Sequence, residues 1–89
     1  MDIYDKVAYN ILYYMDKLEK NEEFIKECPG ITAFEYLCVK TKIKPKRLST
    51  ILKIGAKRRT TLNEVHRICV VLGVGMGDII SKEVKYIDK

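Results

Sequence analysis

Residues 32–53 read TAFEYLCVKTKIKPKRLSTILK, two short amphipathic segments joined by Lys42-Ile43-Lys44. In the first, Phe34, Leu37, Cys38 and Thr41 fall on one helical face, and Thr32 with Glu35 three positions later forms a capping-box pattern, which predicts a helix over 33–41. The second opens at Pro45, whose fixed φ and missing N–H suit the first position of a helix. A helix over 45–53 puts Leu48, Ile51 and Leu52 on the core side and Lys46, Ser49, Thr50 and Lys53 on the opposite face. Two short helices joined by a tight turn describe a helix-turn-helix unit, although such pairs occur in many all-helical domains.

Charge separates this stretch from its surroundings. Between Tyr36 and Asn63 there are nine basic side chains (Lys40, Lys42, Lys44, Lys46, Arg47, Lys53, Lys57, Arg58, Arg59) and no acidic one. Residues 1–35 hold four lysines against eight carboxylates, so the net charge of +5 is polarised along the chain. A block of like charge repels itself unless a partner neutralises it, and nucleic-acid phosphates are the usual partner of such a stripe.

Upstream, Ile3, Val7, Ile11, Met15 and Leu18 lie at steps of three and four, predicting a helix over 3–20 with Asp2 as its N-cap and Asp5 at the positive end of its dipole. Asn21 caps a second, acidic segment, EEFIKEC, which stops at Pro29-Gly30. Downstream of the basic loop GAKRRTT, Thr61 caps a helix whose stripe is Leu62, Val65, Ile68, Cys69 and Leu72, and Gly73 ends it. Met76, Ile79 and Ile80 indicate one more short helix, while the tail KEVKYIDK reads equally as a strand, a fray or a dimer arm.

At 89 residues and 47% hydrophobic content the chain can build a single core without metal or disulfide staples. No apolar run approaches a membrane span, and MDIYDK resembles neither a signal nor a transit peptide. Cys28, Cys38 and Cys69 lack a CxxC pair and read as reduced thiols of a cytoplasmic protein. His66 sits three before Cys69 and, with Cys38 or Cys28, would supply metal ligands; Cys69 lies on the apolar stripe, which favours a small buried hydrophobe instead. Tyr4, Tyr9, Tyr13 and Tyr14 stand among carboxylates, favouring core packing or a protein interface over base stacking. One histidine, no nucleophile in a recognisable triad and no phosphate-cradling glycine loop leave no catalytic site to assign.

The stretch from Thr32 to Ser81, TAFEYLCVKTKIKPKRLSTILKIGAKRRTTLNEVHRICVVLGVGMGDIIS, resembles the Cro/C1-type (XRE-like) helix-turn-helix domain of phage repressors and bacterial regulators. Leu37-Cys38 stands where that family has Leu-Ala, Ile43 at the apolar turn position, and Leu48 and Ile51 at the buried positions of the recognition helix. The Leu-Gly-Val step at residues 72–74 before a short closing helix is the most specific match. Departures are Lys44 where a capping Ser or Thr is frequent, Phe34 where a phosphate-binding Gln is common, about two extra residues after the recognition helix, and a longer connection, NEEFIKECPG, before the first helix of the pair.

The resemblance implies an all-α fold, a small five- to six-helix bundle of the lambda-repressor-like helix-turn-helix type. As one domain over 1–89 it divides into an N-terminal helix and acidic insert (1–31), the helix-turn-helix (32–53), closing helices (61–81) and a tail (82–89). It further implies a non-enzymatic transcriptional regulator or repressor that binds double-stranded DNA as a homodimer on an inverted repeat, with no cofactor, small-molecule ligand or membrane. Lys46, Ser49 and Thr50 would read base edges in the major groove. Thr32, Lys44, Arg47, Lys53, Lys57, Arg58, Arg59 and Thr60 would hold phosphates. Dimer surfaces would come from the last helix, from Val84 to Ile87 of the tail, or from the tyrosine-bearing first helix. Two other classes stay open: an antitoxin or mobile-element accessory protein that uses the scaffold to bind another protein, and an RNA or nonspecific polyanion binder.

Overall fold

Five of the six helices among the described residues begin at a side-chain cap or a proline. A computed structural model describes residues 2–55, 59–80 and 83–85 and is all-helical over them. Its helices are α1 (Ile3–Glu19), α2 (Glu22–Glu27), α3 (Ala33–Thr41), α4 (Pro45–Leu52), α5 (Leu62–Leu72) and α6 (Met76–Ile80). Asp2 accepts from the Tyr4 amide at 2.7 Å, Asn21 from Phe24 at 3.1 Å, and Thr32 from Glu35 at 3.1 Å, so three predicted caps are the caps observed. Thr61 and Glu64 complete a reciprocal capping box on α5, and Gly73 ends that helix in the left-handed region at φ 72°. The first and fourth helices stop one residue earlier than expected, with Lys20 and Lys53 as C-caps.

α1 is the central strut, packed against α3, α4, α5 and α6. Its Val7, Ile11 and Met15 meet Leu37 of α3, Leu48 and Ile51 of α4, Val65, Ile68 and Cys69 of α5, and Ile79 of α6 in one core. The turn between α3 and α4 is closed from inside. Thr41 is buried, its hydroxyl donates to the Leu37 carbonyl and accepts from the Ile43 amide, and Ile43 drops its side chain into the core. Lys42 takes the left-handed conformation that this turn needs, at φ 62° and ψ 19°.

Two ends of the predicted apolar stripes lie outside the core. Leu62 is 70% exposed and Ile3 is 51% exposed, because each is the first residue of its helix and stands beyond the neighbouring packed layer. Together with Tyr4 and Ile80 they rim a shallow apolar depression. The tyrosines of α1 are half-buried, and Tyr14 packs against the core. The acidic α2 buries only Phe24, whose ring meets Tyr36 edge-on at 5.2 Å.

Asn10, fully buried on α1, holds the segment after α6. Its Nδ2 donates to the carbonyls of Ile79 (2.8 Å) and Glu83 (3.4 Å), and its Oδ1 accepts the Lys85 amide at 2.8 Å. Residues 83–85 are thus tied back to α1 without forming a strand; the rest of the tail, with Ser81, Lys82 and Ile87, lies outside the described residues. A helix-face pattern marks Asn10 only as an intruder among apolar neighbours. Replacing it strands one buried amide and two carbonyls, so Asn10→Ala is expected to lower stability by about 2 kcal/mol in denaturant melts. Hydrogen exchange of the Lys85 amide should lose its protection in the same variant.

Candidate nucleic-acid interface

The rotation of α4 is set by what it buries. Leu48 is fully buried and Ile51 is 4% exposed, and at about 100° per residue this turns Lys46 and Ser49 into solvent. Lys53, the C-cap, is exposed as well. Thr50 is half-buried and its hydroxyl donates to the Lys46 carbonyl at 3.0 Å, leaving an acceptor lone pair on the outer face. Lys44, Lys46, Arg47 and Thr50 line an open depression beside the first turn of this helix.

That first turn is electrostatically uncompensated. α1, α2, α3 and α5 each have a side-chain oxygen accepting from a first-turn amide, whereas the N-cap of α4, Lys44, makes no such bond, and no acidic residue lies in its first turn. Unpaired N–H groups, the positive pole of the helix and two exposed ammonium groups, Lys44 and Lys46, therefore converge at one place. Like charges there cost about 0.3–1 kcal/mol each, a cost that an anion at the same spot reverses.

Arg47, which the sequence offers as a phosphate ligand, is engaged within the fold. Its Nε donates to Glu64 Oε2 at 2.6 Å and its Nη2 to Glu64 Oε1 at 2.7 Å and to the Arg59 carbonyl at 2.8 Å. Glu64 also accepts from the Thr61 amide and hydroxyl at 2.9 and 3.0 Å. The fork of hydrogen bonds from Arg47, together with those from Thr61, holds the Glu64 carboxyl at about 2, well below its ordinary value. Thr61 and Glu64 carry a legible capping signature; Arg47, seventeen positions earlier, carries none that pairs it with them.

Thr32 is likewise engaged within the fold. It is exposed, but its hydroxyl is engaged with Glu35, and the neighbouring Ala33 amide is taken at 2.7 Å by the carboxylate of Glu19 from the end of α1. An internal anion thus occupies the helix end where a phosphate was anticipated. Asp5 plays a comparable part at the start of the basic loop, accepting the Gly55 amide at 2.9 Å. Arg59 is exposed and Thr60 half-buried. Lys57 and Arg58 lie outside the described residues.

A family model for the Cro/C1-type HTH DNA-binding domain matches residues 31–84, more than half of the chain. The chain belongs to this family. The match spans the helix-turn-helix, α5 and α6, and α1 and α2 precede the matched residues. No curated protein and no solved structure gives a significant match. Among the described residues no helix is long and apolar enough to cross a membrane.

Two measurements check this geometry. Because the folded-state value of Glu64 lies below its ordinary 4.5, its contribution to stability is fully present above about pH 4.5 and is lost as pH falls towards about 2. Glu64→Gln should therefore cost about 2 kcal/mol near neutrality, and unfolding curves of the two proteins should converge as the solution is acidified. At the turn, Lys42→Gly removes a left-handed strain of about 1–2 kcal/mol against an entropic loss of about 0.5–1. A net gain of about 0.5–1 kcal/mol in unfolding free energy, read as a higher denaturant midpoint at unchanged slope, is the expected result.

Proposed function

We propose that this chain is a sequence-specific transcriptional regulator that inserts α4 into the major groove of double-stranded DNA. The observation that carries the reading is the outer face of α4, where Lys46, Ser49 and Thr50 stand beside an unpaired, doubly lysine-flanked helix N-terminus. Lysine donates to the O6 and N7 acceptors of guanine, and the two hydroxylic residues supply adaptable partners, so Lys46 is the leading base reader. Lys44, Lys53, Arg59 and Thr60, with Lys57 and Arg58 of the same loop, take flanking phosphates. This helix reads only a few base pairs, which is the reason to place two copies on an inverted repeat with half-sites about 34 Å apart. Free thiols at Cys28, Cys38 and Cys69 suit a reducing, cytoplasmic setting.

Selection of bound duplexes from a random pool at physiological salt tests the reading. An enriched inverted repeat supports it; recovery of no motif, with a stable basic protein co-purifying instead, favours the protein-interaction alternative through the acidic face of α2. On the enriched duplex, Lys46→Ala should relax discrimination at one base pair by about 1–3 kcal/mol. Lys53→Ala should instead weaken all duplexes alike and flatten the dependence of log affinity on log salt by about 0.9.

A further inference from the structure

The basic loop that follows α4 is tethered at both ends. Its start is held by Asp5 of α1 through the Gly55 amide, and its end by Arg47 of α4 through the Arg59 carbonyl. The second tether is the more consequential, because the same guanidinium grips both carboxylate oxygens of Glu64 in the first turn of α5. Three separate pieces of the interface thus meet on one planar group: the eight-residue α4, the backbone where the loop returns, and the N-terminus of the helix that closes the domain.

A short helix pinned to its core mainly by Leu48 and Ile51 can still rock about those two contacts. The Arg47 fork removes that freedom, since two parallel N–H···O bonds fix orientation as well as distance. Its charge is also spent. With Glu64 it forms a pair of zero net charge, and its Nε and Nη2 donors point at the chain's own oxygens.

We propose that Arg47 and Glu64 are positioning residues for DNA recognition, which lock the base-reading face of α4 and the backbone at Arg59 into one register. The assignment rests on the DNA-binding reading above. It makes a carboxylate inside a polyanion-binding surface necessary for specificity, and it takes Arg47 out of the set of phosphate ligands. The two roles predict opposite signs for one substitution. Glu64→Gln raises the net charge from +5 by one and frees Arg47. If Arg47 were a phosphate ligand held in reserve, every duplex would bind tighter. If the pair sets register, the scrambled duplex binds as well as before or better while the specific duplex binds worse.

The experiment measures affinity for the duplex enriched by selection and for a scrambled duplex of equal length, using wild type, Glu64→Gln and Arg47→Lys, with thermal unfolding alongside. The ratio of the two affinities should fall about tenfold in both variants. Arg47→Lys keeps the charge and loses the fork, so it reads the same effect should Glu64→Gln be unfolded. A loss of stability alone lowers the active fraction and moves both affinities together, leaving the ratio untouched. An unchanged ratio in folded variants, or tighter binding of both duplexes by Glu64→Gln, overturns the assignment. A wild-type chain with no preference for any duplex contradicts the DNA reading itself, and the assignment falls with it.

Discussion

The orientation of the outer face of α4 follows from the burial of Leu48. It is fully enclosed in the core, and with Ile51 it fixes the rotation of α4 about its axis, so that a slip of one residue would swing each side chain by about 100° and bring charge into the core. Burying these two side chains contributes about 1.5–3 kcal/mol apiece, which together exceeds the roughly 0.6–2 kcal/mol lost by leaving two lysines at the positive end of the helix dipole. The core can therefore hold in place a helix whose outer face is electrostatically unfavourable in the free protein. An anion placed at that helix end would relieve the imbalance.

The chain's carboxylates are arranged around this face rather than on it. Asp5, Glu19 and Glu64 each reach out of a helix to accept a hydrogen bond elsewhere: the Gly55 amide, the Ala33 amide and the Arg47 guanidinium. Glu22, Glu23 and Glu27 stay exposed on α2. One consequence is that the N-terminus of α3 is already neutralised by Glu19, while the N-terminus of α4 is not. Attraction for an anion is thereby concentrated on a single helix end.

Elements governed by local rules could be read from the sequence. Asp2, Asn21, Thr32 and Thr61 cap the helices they were expected to cap, and Pro45 and Gly73 mark a start and a stop, because each signal acts within one turn of backbone. Apolar periodicity located the core faces of α3, α4 and α5 but overreached at Ile3 and Leu62, where a stripe continues past the neighbour that would cover it. What escaped were pairings between distant positions. Arg47 with Glu64, Glu19 with Ala33 and Asn10 with Lys85 depend on how the helices cross, which no spacing along the chain encodes. The candidate site was thus legible as a face and a charge pattern, and the partner that Arg47 holds within the fold was not.

Mapping amide and side-chain NMR shifts while a duplex is titrated in shows whether DNA meets this protein at the outer face of α4. Perturbations are expected to gather on Lys44, Lys46, Ser49, Thr50 and Lys53 and on Arg59 and Thr60, leaving Glu22 to Glu27 of α2 unmoved. Shifts centred on α2, or on the apolar depression rimmed by Ile3 and Leu62, with α4 silent, would contradict that placement.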